Sequence, residues 1–354
     1  MPKKRKTLPK DFAELLKSTD TQSLIQLFNK FELDARGGYG KGTALSYTEC
    51  PHELAKWLVE QGLDIDMPND YSYTPLQYRA GYKAGNIQSL IDLGANIHIN
   101  NKRGTPLHCA VQNHQLDNIK ILLKNGAEVN AVAPYGYAGE SYTVLELNLL
   151  TCQNADIINA TEITKILLDA GAQKTERMKT LVADIGKEFE YYRPNFNPKS
   201  VDQTSNALDE LYQIFGVNPA PKRVLHNGEA PISVKSTTWK AQHQELWELL
   251  VPAMGQAKTV QGEVIRIGGK VSRELLDNGG INWDDDYKTM VGNFISYVKQ
   301  GEPLTEEELA QVAKIVLEVQ HKKTDNLYTM AELGVKWVLL NPNPIPLLAV
   351  NYER

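Results

Sequence analysis

The chain has 354 residues, 42% of them apolar and 23% charged, enough to bury a large core and to suggest about two domains. A net charge of −5 argues against direct nucleic-acid binding. No apolar run approaches a membrane span and the start lacks the apolar stretch of a signal peptide, so a cytoplasmic protein is expected.

Residues 1–10 open with the basic run Met1-Pro-Lys-Lys-Arg-Lys, which resembles a nuclear localisation signal but reads more simply as a basic tail. From Asp11 to about Asp34, two short amphipathic helices have the pattern of a cap on a repeat stack. Gly37-Gly-Tyr-Gly-Lys-Gly-Thr43 is superficially like a phosphate-cradling loop. It fails that pattern, because Ala35 stands where the first glycine is needed and no apolar strand precedes it; a Gly-rich finger between repeats is expected.

A period follows. Thr43, Thr74 and Thr105 fall 31 residues apart, and Gly62, Gly94 and Gly126 fall 32 apart. In the clearest copy, Lys102 to Val132, Thr105 can cap a helix that starts on Pro106, with His108 one turn on. Leu116, Ile119, Leu122 and Leu123 mark a second helix, and Gly126 supplies its left-handed stop. Thr143-Val-Leu145 and Gly171-Ala172 bound a fourth, stretched copy, with about seven extra residues placed around Cys152 to Ala160. Met178 to Phe189 reads as a closing cap, so the solenoid is expected over residues 11–199.

Prolines 198, 219, 221 and 231 with one helix, Ser205 to Phe215, suggest a linker over 200–238. Residues 239–354 lose the period. Five helices are expected there, Lys240–Val251, Thr259–Leu276, Asp284–Lys299, Thr305–Gln320 and Thr329–Leu340, followed by an extended tail, Asn341-Pro-Asn-Pro-Ile-Pro. The fold class is therefore mainly α, a repeat solenoid followed by a helical C-terminal domain.

Chemistry is hard to find. Cys50, Cys109 and Cys152 sit in or beside repeat helices as small apolar residues, and no metal set, nucleophile motif or cofactor loop is present, so no catalytic residue, metal or cofactor is expected. Glu263, Arg266, Lys270, Arg273, Glu274 and Asp277 form a polar stripe near Asn278 that reads as solvated charge pairs, opposite a core face of Val264, Ile267, Val271 and Leu275. Asp284 in Asn282-Trp-Asp-Asp-Asp286 is expected as a helix N-cap rather than a calcium ligand.

Gly104-Thr-Pro-Leu-His108 with Gly126-Ala127, and Thr74-Pro-Leu-Gln77 with Gly94-Ala95, resemble the ankyrin repeat family over about half the chain. Gln77 stands where the family has His, Arg79 where a small residue is usual, and Pro51-His52 interrupts the second repeat, so irregular packing is expected there. The resemblance implies protein recognition without catalysis. By the family pattern the partner-binding residues are Tyr71, Tyr73, Tyr82, Lys102, Arg103, Gln112, Asn113, Tyr135, Tyr137 and Tyr142. The C-terminal stretch from Gly255 to Tyr287 resembles segments of bacterial toxin-neutralising proteins. The expected function is thus an immunity protein that occludes a bacterial toxin and is monomeric without its partner. The alternative is an effector or scaffold that binds a host or cellular protein, with a separately acting C-terminal domain.

Overall fold

Thr74, Thr105 and Thr143 each accept a bond from the backbone N–H three residues on, and Gln77, His108 and Glu146 at those third positions return one to the threonine N–H. Such reciprocal caps fix where a helix starts. The protein is described by a computed structural model covering residues 3–82, 85–136 and 139–354, among which are sixteen α-helices. No helix among these residues is long and apolar enough to cross a membrane.

The chain forms two compact units, one of residues 1–186 and 202–219, the other of 187–201 and 220–354. The first opens with β1 (Arg5–Thr7), α1 (Phe12–Ser18), α2 (Thr21–Leu27) and β2 (Phe31–Arg36). Then come a 3₁₀ turn (Ala44–Ser46), α3 (His52–Glu60), α4 (Pro75–Ala80), α5 (Ile87–Asp92), α6 (Pro106–Gln112) and α7 (Leu116–Lys124). The hairpin β3 (Val132–Tyr135) and β4 (Glu140–Thr143) leads into α8 (Val144–Leu150), α9 (Ile157–Asp169) and α10 (Glu176–Tyr192), and α11 (Val201–Phe215) completes the unit.

The repeats stack in two rows, α4 with α6 and α8, and α3 with α5, α7 and α9. Leu76, Leu107 and Leu145 are fully buried in the first row, and Leu58, Leu90, Leu122 and Leu167 in the second. Each second-row helix ends on a glycine with positive φ, Gly62, Gly94, Gly126 and Gly171, and the next N–H bonds back, as from Ala127 to Leu122 O at 3.0 Å. The capping residues also tie each repeat to the next. Gln77 Nε2 donates to Gly104 O at 2.5 Å, His108 Nε2 donates to Tyr142 O at 3.3 Å, and Glu146 accepts from Thr175 Oγ1 at 2.7 Å.

Two expectations change, and a third, the place of the fourth repeat's extra residues, holds. The basic start is not a free tail: β1 pairs parallel with β2, Lys4 Nζ donates to Phe28 O, and Leu8 is buried. The segment 200–238 is divided, since α11 bonds within the first unit through Thr161 Oγ1 to Ala207 O at 3.1 Å, while residues 220–238 belong to the second. The extra residues of the fourth repeat go into a loop from Thr151 to Asp156 and into α9, which has 13 residues against 9 in α7. At the interrupted second repeat a 3₁₀ turn replaces the first helix, and Arg79 is wholly buried beside Cys50, with Nε and Nη2 unpartnered among the described residues.

The second unit contains α12 (Trp239–Leu250), α13 (Val260–Ser272), α14 (Asp285–Tyr297), α15 (Glu306–Gln320) and α16 (Leu327–Leu340). Thr305 and Glu308 form a capping box, and Asp284 caps α14 by accepting from Tyr287 N at 3.1 Å. Trp337, Met290, Phe294 and Leu246 are fully buried in its core. Arg223 closes the C-terminal end of α12, where its guanidinium donates to the carbonyls of Trp247, Glu248 and Val251 and, beyond them, to Tyr191 O. The tail is extended: Val260 N donates to Ile345 O, Leu347 N to Lys258 O, and Gln261 Nε2 to Asn341 O and Asn343 O.

The polar stripe on α13 is the main correction in this unit. Glu263 and Arg266 are not solvated but fully buried, paired at 2.6 and 2.8 Å. Tyr352 donates to Glu263 at 2.6 Å and Arg266 donates to Arg354 O at 2.6 Å, so residues from the tail cover this pair. α13 then relaxes into a π turn, Arg273–Asp277.

Candidate functional site

The aromatic residues of the first unit are gathered by its fingers. Asn69 is buried, and its Oδ1 accepts from both Tyr71 N and Tyr73 N at 3.0 Å, which bends the chain so that the two tyrosines project from one tight loop. Asn101 repeats the device one finger on, accepting from Arg103 N at 2.8 Å while donating to Ser72 O. Arg103 is thereby aimed backwards: its Nε donates to Tyr71 O at 2.7 Å and its guanidinium lies 4.6 Å over the Tyr73 ring.

From there the rings continue. Tyr73 meets Tyr78 edge-on at 6.3 Å, and Tyr78 meets Tyr82 at 5.0 Å, with their hydroxyls 3.2 Å apart. Tyr39, 89% exposed, stacks on Tyr71 at 5.6 Å. Tyr78 and Tyr82 form a wall shared by two hollows. One, of about 250 Å³, is lined by Tyr73, Gln77, Cys109, Gln112 and Asn113. The other, of about 130 Å³, is lined by Tyr39, Ser46, Tyr47, Glu49 and the Gly37–Gly42 turn. Burial pushes the Tyr47 and Tyr78 hydroxyls above the usual phenol range, and the Glu49 carboxylate adds to both.

Of the residues expected at the partner surface, the structure thus brings Tyr73, Tyr82, Gln112 and Asn113 around one hollow, with Tyr71 and Arg103 at its rim fingers. Lys102 is exposed. Tyr142 stands apart and is committed to packing: its hydroxyl donates to Glu140 at 2.6 Å, Arg177 lies 4.4 Å over its ring, and Tyr135 contacts its edge at 6.4 Å. Tyr137 lies outside the described residues. Tyr39, Ser46, Tyr47, Glu49 and Tyr78 were not singled out from the sequence. The spacing of Tyr78 and Tyr82, four residues apart at the end of a helix, was the one available signal.

In the second unit, Glu263, Arg266, Arg273 and Asn278 do not converge. The first two are sealed in the core, Arg273 is exposed, and Asn278 donates to Glu274, which also accepts from Asn282 N at 2.7 Å. Among the described residues no group of three or more His, Cys, Asp or Glu is placed to hold a metal ion.

Residues 43–133 match the family model of ankyrin repeats, in three copies. Over 145 residues, 38% of this chain, the sequence is 28% identical to ZDHHC13 of Danio rerio, and the match spans only 22% of that protein's length. Similar solved structures include the ankyrin repeat domain of human ASB11, at 16% identity and a TM-score of 0.42, covering 59% of this chain and 85% of that one. Another is an ankyrin repeat domain from Acinetobacter baumannii AYE, at 19% identity and a TM-score of 0.40, covering 58% and 97%. Residues 43–133 of this chain are ankyrin repeats.

Proposed function

We propose that this protein acts by binding, covering part of a partner protein with the finger and first-row surface of its repeats, stoichiometrically and without turnover. Ankyrin repeats are a protein–protein interaction module. The observation that carries the reading is the tyrosine row from Tyr39 and Tyr71 to Tyr82, held by Asn69, Asn101 and Arg103 and bordered by two hollows. Tyrosine and arginine presented on a stiff frame give large contact area at small entropic cost.

Within that reading we favour occlusion of a toxin, as an immunity protein does. The net charge of −5 supports it, since an acidic protein is drawn quickly to a basic, nucleic-acid-cleaving partner. A scaffold that holds a host or cellular protein uses the same surface. Titration of an isolated partner's activity separates them: inhibition saturating near one equivalent means occlusion, and binding without inhibition means scaffolding. Loss of partner activity at a small fraction of an equivalent means turnover and ends the proposal. Alanine at Tyr71 and Arg103 together is expected to weaken the complex at least tenfold, as loss of anchoring residues does.

A further inference from the structure

Gly37 and Gly42 face each other across an antiparallel bridge, with Gly37 N donating to Gly42 O at 2.9 Å. Neither tolerates a side chain. A Cβ on Gly37 would stand 2.6 Å from the Tyr47 hydroxyl, and one on Gly42 would stand 2.5 Å from Ser46 Oγ. The backbone therefore presses onto these two residues, and beside them remains the hollow of about 130 Å³.

Four aromatic rings, Tyr39, Tyr47, Tyr78 and Tyr82, line it together with Glu49 and Ser46. Ser46 is only 5% exposed, yet its hydroxyl has no hydrogen-bond partner among the described residues. A buried hydroxyl left unsatisfied is costly, and it points to a polar group that arrives with a guest. The guest's charge is set by Glu49. Its nearest cation is Lys17 at 3.8 Å, a half-exposed side chain that also reaches Glu14 at 3.4 Å, and the buried Arg79 acts on it only from beyond ion-pair contact, so the carboxylate is loosely compensated. Ring faces attract cations, and they bind them more strongly where water is displaced.

We propose that this hollow receives the ammonium end of a lysine side chain from the partner protein. The methylene stem lies against the tyrosine faces, and the ammonium donates to Glu49 and to Ser46 Oγ. A compact head with three donors suits one hydroxyl and one carboxylate, whereas a guanidinium needs a planar fork of acceptors. This rests on the reading that the repeat surface faces a partner, and it supplies the chemistry of one contact.

The test uses the full chain with isotope-labelled tyrosine, titrated with n-butylammonium and, in parallel, with n-butanol and methylguanidinium. Butylammonium is expected to shift the ring signals of Tyr39, Tyr47, Tyr78 and Tyr82, with butanol silent at equal concentration. Glu49→Gln is expected to weaken the response about two- to five-fold, the range of a partly exposed charge pair, and Lys17→Gln to strengthen it by removing the competing cation. Opposite effects from two surface substitutions cannot come from a common loss of fold, and thermal melts check each variant. Equal shifts with butanol, or no effect of Glu49→Gln, overturn the proposal; a stronger response to methylguanidinium overturns the choice of lysine. With a partner in hand, saturating butylammonium is expected to compete. A silent probe beside intact partner binding sinks this inference alone, and a bound probe that leaves partner affinity unchanged removes the partner from it.

Discussion

The imidazole of His108 joins two repeats: its Nε2 donates to the Tyr142 carbonyl at 3.3 Å while its Nδ1 accepts from Thr105 N at 3.3 Å. Both bonds require the neutral ring with its proton on Nε2. A second proton on Nδ1 would face the Thr105 N–H, and burial already lowers the His108 pKa from 6.5 to about 4.

Stability should therefore fall in mild acid. Between pH 6.5 and about 4 the unfolded chain binds a proton at this position that the folded chain refuses, so stability drops as pH falls through that window, by about 3 kcal/mol in total, and levels below it. Burial lowers His114 and His243 too, which gives the slope the same sign. His108→Gln is expected to cost about 1 kcal/mol at pH 7, because Gln77 makes the equivalent bonds, and to flatten the slope. Urea midpoints at pH 7 and pH 5 check both; an unchanged slope in the variant would place the acid sensitivity elsewhere.

Leu107 and Leu122 are fully buried, one in each row of the stack. Replacing either by Ala should cost about 2–5 kcal/mol, as buried large-to-small changes do. Circular dichroism melts that leave both variants unshifted would contradict the packing.

Arg79 is buried where packing alone would be served by an apolar residue. Its best hydrogen bond is a long one, Nη1 to Asn86 O at 3.5 Å, and burial pushes its pKa down while raising the neighbouring Cys50 thiol to about 11. Arg79→Met is expected to leave stability unchanged or to raise it, by up to about 4 kcal/mol, since a buried charge with no carboxylate in direct contact carries a desolvation cost that the more distant Glu49 only partly offsets. A loss above about 1 kcal/mol in urea unfolding would show that its contacts outweigh that cost.

The Glu263–Arg266 pair should behave oppositely. Arg266→Met alone leaves a buried carboxylate and is expected to cost about 3–5 kcal/mol, while Glu263→Leu combined with Arg266→Met should cost less than the sum of the single changes. Hydrogen exchange at Glu353, whose backbone N–H donates to Asp286 at 3.2 Å, reads the same event locally: this amide should lose protection in Arg266→Met.

Thr105, Thr143 and Gly126 were legible because caps and left-handed stops are local devices, readable within one turn of chain. The C-terminal helices were legible for the same reason, through Thr305, Glu308 and Asp284. What escaped was non-local. Nothing near Glu263 in sequence announces that Tyr352 will cover it, and i,i+3 spacing of Glu263 and Arg266 is equally the signature of a solvated pair. The same holds for Arg5, whose partner strand begins at Phe31, and for Tyr47 and Glu49, which share a hollow with Tyr82 only because Gly37 and Gly42 let the backbone close over them.

The division of the chain into units governs how the protein can be dissected. The polypeptide passes from one unit to the other after residues 186, 201 and 219, so no single cut separates the two units cleanly. A fragment ending at Gly186 loses α11, and with it the buried Leu208, Leu211 and Tyr212, the last of which lies so close to Gly186 that a Cβ there would collide with its ring. A fragment ending at 219 keeps every segment of the repeat unit, and this is also the point during synthesis at which that unit can first close. One that begins at 220 loses Glu190, which accepts from the backbone N–H of Arg223, so the clamp on α12 starts with a partner missing.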